Sequence, residues 1–280
     1  MFYSYKGELF KFYKHRLFTI LTSIVLLVFV LIFMAKYYSI TAGNKLPYIM
    51  VRDLTFPYIF FTAIDISSWF VIILSYIIIC SILGNEYGWN TYKTISMRGT
   101  DKIDFLNTKI LASLTYAVIF FILGALILCL LGLAYNAKIM AHAMAETTPP
   151  NINFYFIFIK FIIFILSALP YIGMGVFLTV LTKSSGGGFG IGFIYILVVE
   201  NLITYLCYTF SDIVGEWLKR IPDYFLGKQL VAINSESLFE LNSEKEYLLI
   251  IVQPILISII YATIFYLMSV FIIKKRDILN

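Results

Sequence analysis

The chain has 280 residues, of which 61% are hydrophobic and 13% charged, with a formal charge of +5 and a mean hydropathy of +0.90. A water-soluble domain carries about 25% charged residues, so the composition excludes an ordinary soluble enzyme or nucleic-acid-binding domain and points to a polytopic membrane protein. In such a protein a positive balance marks the cytoplasmic face rather than nucleic acid.

Phe2–Phe18 places Leu9, Phe12, Tyr13 and Leu17 on one helical face and Glu8, Lys11, Lys14 and His15 on the other. This pattern predicts a helix over residues 1–16 lying in the membrane interface. Six apolar runs follow: Leu17–Ala35, Tyr58–Leu83, Ile110–Ala134, Phe154–Val180, Phe189–Tyr208 and Tyr247–Ile273. Each is near the roughly 20 residues that a helix needs to cross the hydrocarbon core. The first is too long for a cleaved signal peptide, and no small-residue cleavage site follows it. The expected fold is therefore all-α, a single six-helix transmembrane domain over residues 1–280.

Three ionisable residues, Asp65, Lys160 and Glu200, fall inside these runs. A charge at the bilayer centre costs about 2.5–3.5 kcal/mol on the insertion scale and by default marks function. Asp65 stands near the outer end of its run and Glu200 about midway. An ion pair of Lys160 with Asp65 or Glu200 is one reading, a role in a cargo path or gate another, and snorkelling a third. Gly188 and Gly192 suit close helix approach, with a turn expected at Gly186–Gly188, and Pro170 and Pro254 are expected to kink their helices. Cys80, Cys129 and Cys207 lie in apolar runs and read as buried thiols without a disulfide. His15 and His142 are too far apart to give metal-ligand spacing.

With the N-terminus inside, the inner segments hold twelve Lys and Arg against eight outside, and Lys160 completes the 21. The positive-inside rule then puts both termini in the cytoplasm. Among the outer segments, 136–153 carries no assignable feature. Residues 211–246 open with a stripe of Ile213, Val214, Trp217, Leu218 and Ile221, which predicts a short amphipathic helix in the outer interface. Glu236, Glu240, Glu244 and Glu246 follow it as a solvated face or a contact for cationic cargo.

Gly84–Lys109, GNEYGWNTYKTISMRGTDKIDFLNTK, is too polar for lipid and long for a simple turn. Glu86–Met97 reads as a short helix, Arg98–Asp101 as its break, and Thr100 or Asp101 as the cap of the next helix. The two spans that flank it are expected to continue past the bilayer as helices. Glu86 is expected on an exposed loop, where it would orient the corner through Arg98 or backbone donors, or reach a partner directly.

This stretch resembles the cytoplasmic loop of type 2 ATP-binding-cassette (ABC) permeases, with Glu86, Gly88, Thr91, Ile95, Arg98, Lys102 and Lys109 at matching places. Gly99 stands where the family usually has proline, and glycine also breaks a helix. Phe177–Leu197, FLTVLTKSSGGGFGIGFIYIL, is similar to the small-residue turn that joins spans four and five in that family, and FIIKKRDILN to its basic exit after span six. The 211–246 segment is similar to the re-entrant or capping helices between spans five and six.

The resemblance implies the membrane subunit of an exporter in a bacterial cytoplasmic membrane, working as a dimer, most simply a homodimer, with two copies of an ATPase subunit. It assigns ATPase coupling to the N-terminal helix and to the loop bearing Glu86, Gly88, Thr91, Arg98, Gly99 and Lys102. It also implies a cargo path along spans two and five, with an amphipathic peptide, lipid or drug as cargo. The residues agree on one point independently: the chain has no G-x-x-x-x-G-K-[ST] loop, so ATP and magnesium would sit on the partner and no cofactor on this chain. Two other readings stay open, an ion-coupled secondary transporter using Asp65, Lys160 and Glu200, and a non-transporting peptide-immunity subunit. No inverted repeat supports the former, and no convergent nucleophile, base or metal set supports an enzyme.

Overall fold

The computed structural model describes residues 2–42, 51–55, 58–89, 101–140, 154–227 and 252–275. These residues contain no strand, and they include six helices long and apolar enough to cross a membrane. In chain order the helices are α1 (Phe2–Lys14), α2 (Arg16–Thr41), α3 (Ile59–Gly88), α4 (Lys102–Met140), α5 (Phe154–Thr182), α6 (Ser185–Ile194), α7 (Glu200–Val214) and α8 (Gln253–Lys275). A π-helical turn, Tyr195–Val199, joins α6 and α7 into one span, Ser185–Val214.

The helices outrun the apolar runs that announced them. α4 has 39 residues, about 58 Å at 1.5 Å per residue, nearly twice the hydrocarbon thickness. Backbone groups must be paired wherever they lie, so a helix ends at a breaker rather than where hydrophobicity ends. Asp101 starts α4 by accepting the Ile103 N–H at 3.1 Å on Oδ1, one of the two residues expected to cap it. Lys183, at φ +52°, makes the sharp turn after α5. Ser184 caps α6 by accepting the Gly187 N–H at 3.2 Å. Gly186–Gly188 therefore lie within α6 and form no turn, and span five begins at Ser185.

The chain divides into two compact units, one of Met1–Phe10, Ile72–Tyr116 and Ile163–Asn280, the other of Lys11–Val71 and Ala117–Ile162. Aromatic packing holds the second. The Phe29 and Phe70 rings meet edge to face at 5.6 Å, and Phe33 and Tyr37 both contact Tyr135. Gly124 and Gly132 give α4 the room to receive Phe29 and Ile59.

In the first unit small residues let α3, α5 and α6 approach. A methyl group at Gly188 would come within 3.0 Å of the Thr179 backbone, and one at Gly192 would overlap the Tyr76 hydroxyl. That hydroxyl instead donates to the Gly188 carbonyl. Cys80, Cys129 and Cys207 are buried free thiols.

The short helix expected after α7 takes the 3-10 form. Gly215, at φ +132°, reverses the chain, and Glu216–Tyr224 forms a 3-10 helix packed along α7. Nine residues at about 2.0 Å each return the chain some 18 Å, and the Gly227 N–H reaches Glu200 Oε2 at 2.9 Å. Ile213, Val214 and Trp217 of the amphipathic stripe stay exposed.

Candidate functional site

Three chain segments converge on Lys109. This lysine is buried in the second turn of α4, with its side chain only 1% exposed. Its Nζ donates to Glu86 Oε1 at 2.8 Å and to Glu8 Oε2. Glu86 lies in the last turn of α3 and Glu8 in the middle of α1, and both carboxylates are buried. The ammonium also lies 5.0 Å from the Phe105 ring centroid. An unpaired charge in such a place would be prohibitive, and the charge-assisted bonds offset that cost only because all three groups are held in position.

The sequence explains the meeting point. Glu8 is the one acid in α1, and Lys109 projects from α4 one turn beyond Phe105. The amphipathic pattern put Glu8 on the polar face toward water. Glu8 is instead buried on the same side of α1 as Phe12, while Lys11 and Lys14 stay exposed; Tyr5 and Thr115 share a 2.6 Å hydrogen bond, and the Tyr116 hydroxyl donates to the Leu9 carbonyl. On another side of α4, Tyr266 of α8 donates to Asn107 Oδ1 at 2.9 Å. The result is a rigid joint between α1 and the facing ends of α3 and α4, at the two ends of segment 90–100.

The proposed coupling residues divide accordingly. Glu86 is buried and paired with Lys109, which corrects its expected place on an exposed loop beside Arg98. The helical hydrogen-bond ladder of α3 runs on through Gly84 to Gly88 and carries Glu86 with it. Gly88 is exposed with open space around its Cα, and Lys102 is half-buried in the first turn of α4. Thr91, Arg98 and Gly99 lie outside the described residues. Trp89, next to Gly88, is 67% exposed. Glu8 was missed as a site residue; its signal was being a lone acid among Lys6, Lys11 and Lys14.

The intramembrane ionisable residues do not gather into one described cluster. Asp65 is half-buried in the second turn of α3. Lys160 belongs to α5, and its side chain lies outside the described residues. Glu200 is buried at the start of α7, and only its Gly227 bond is formed by Oε2. Gly188 and Gly192 are buried at the α3–α5–α6 contact described above. Among the described residues no group of three or more His, Cys, Asp or Glu side chains could hold a metal ion. Comparison of the chain with protein-family models, with curated proteins and with solved structures gave no match.

Proposed function

We propose that this chain is the membrane subunit of an ABC exporter, with both termini and segment 84–109 in the cytoplasm, acting as a dimer with two ATPase subunits. The observation that carries this reading is the buried Glu8–Lys109–Glu86 joint. A subunit driven from outside the membrane needs a stiff lever where the motor pushes. Here α1 is fastened to the roots of the same two helices that lead into and out of the loop resembling a permease coupling loop. A push on segment 90–100 or on α1 would pass into α3 and α4 together, because the joint leaves neither free to move alone. ATP closure would then reopen the cavity between paired chains toward the outside, moving an amphipathic cargo. The chemistry stays on the partner, and this chain supplies the path and the lever.

The test is co-expression with a candidate ABC ATPase subunit, followed by purification and measurement of hydrolysis with and without cargo. Exposed Trp89→Glu and loop Arg98→Glu should fold normally yet lose stoichiometric ATPase recruitment or cargo-stimulated hydrolysis. If both variants recruit and couple like the wild type, segment 84–109 does not couple an ATPase and the reading falls.

A further inference from the structure

Glu200 stands midway along the Ser185–Val214 span and is only 6% exposed. Its Oε2 is committed to the Gly227 N–H. Among the described residues its Oε1 has no hydrogen-bond partner, and neither does the hydroxyl of Tyr171, which is 2% exposed. Tyr171, Tyr195 and Tyr261, from three separate spans, interact electrostatically with Glu200, and the Tyr195 hydroxyl is within hydrogen-bonding reach of the carboxylate. No described lysine or arginine pairs with it.

Two helix irregularities frame this carboxylate. The π-helical turn Tyr195–Val199 immediately precedes Glu200, and such single turns re-aim a side chain and loosen the carbonyl ladder, often at functional sites. Pro170 precedes Tyr171 inside α5 and has no N–H to offer the carbonyl one turn back, at Leu166. In membrane helices, oxygens freed at such breaks coordinate small cations.

We infer that Glu200 and Tyr171, beside the π-helical turn, form a binding site for a small monovalent metal cation of the sodium or potassium class. The donors are all hard oxygens, the type that such ions take and softer metals do not. One carboxylate balances one positive charge and leaves the mid-span site neutral. A divalent ion would leave a net charge there, which low dielectric penalises, and it normally recruits several carboxylates. A proton would serve one bond, whereas a metal ion has coordination positions for both the carboxylate oxygen and the phenol. Through Oε2 the same carboxylate holds Gly227, so occupancy would fix the end of the re-entrant stretch. This site goes beyond the exporter reading and stands whether or not an ATPase drives the chain.

The experiment is thermal unfolding of the intact protein in nanodiscs, at each of several fixed pH values and constant ionic strength, in sodium, potassium or lithium chloride against N-methylglucamine chloride. One or more of the metal cations should raise Tm by about 2–4 °C at saturation, with a hyperbolic concentration dependence. Glu200→Gln keeps an amide oxygen for the Gly227 N–H, so it should fold and lose the cation response. Tyr171→Phe, which keeps the ring, should weaken the response several-fold in apparent affinity. A Tm indifferent to all three metal ions would overturn the proposal, as would a response unchanged in Glu200→Gln. A stability that follows pH alone would assign the carboxylate a proton and overturn it equally.

Discussion

At Glu8 and Glu86 two buried carboxylates meet a buried ammonium, whereas at Glu200 a buried carboxylate meets a backbone amide and tyrosines. The first arrangement joins three helices by charge and has no tolerance for the loss of a partner. The second fastens a re-entrant segment through one oxygen and leaves the other to act. Burial alone therefore does not say what an acid in this protein is for. The partner decides whether it is a fastener or a receptor.

The sharpest way to break the comparison is to remove the ammonium. Lys109→Met leaves two carboxylates facing each other in a dry site and should destabilise the protein by about 3–5 kcal/mol, read as lost Tm or lost folded yield in detergent. Neutralising both acids in the same background, with Glu8→Gln and Glu86→Gln, should recover most of that. If the triple variant is no better than Lys109→Met, the joint is held by packing rather than by charge. Glu86→Lys belongs at the same end of the scale. On an exposed loop it would cost within about 0.5 kcal/mol, but beside buried Lys109 it brings two ammonium groups together and should prevent folding.

A smaller effect is expected at the other site. A methyl group at Gly227 would stand 2.5 Å from Glu200 Oε2, so Gly227→Ala should cost about 1–3 kcal/mol by forcing the carboxylate or the re-entrant chain to shift. Limited proteolysis after Tyr224 should then speed up in the variant. Unchanged cleavage and Tm would mean that Glu200 does not anchor this stretch.

Asp101→Ala removes the cap of α4 and should cost about 1 kcal/mol, without touching the Lys109 joint. The smallest change in stability is expected for cysteine introduced at Trp89 or Trp217, 67% and 59% exposed respectively. Both should fold within about 0.5 kcal/mol of the wild type while reporting opposite faces. A membrane-impermeant thiol reagent applied to intact cells should label position 217 and spare position 89. Labelling of position 89 would reverse the orientation and remove the joint from the side where an ATPase could reach it.

Much of the architecture was legible because its cause is local. Continuous apolar runs of about 20 residues have one low-cost arrangement in a bilayer, a helix with every backbone bond closed internally, and six such runs became six candidate spans. Asp101 as a cap and the small residues Gly188 and Gly192 were likewise readable from neighbouring residues. The continuation of α3 and α4 past their apolar runs was readable as well, but how far each helix runs was not, since hydrophobicity marks lipid depth and hydrogen bonding marks helix length. What tertiary structure decided was which polar residues were removed from water. Glu8 and Glu86 carry the same chemistry as exposed acids until α4 brings Lys109 between them. The chain after Gly215 has the same local pattern whether it leads away from its span or returns along it. Gly215 turns it back along α7 until Gly227 meets Glu200, and that long-range contact depends on three-dimensional proximity that no local pattern encodes.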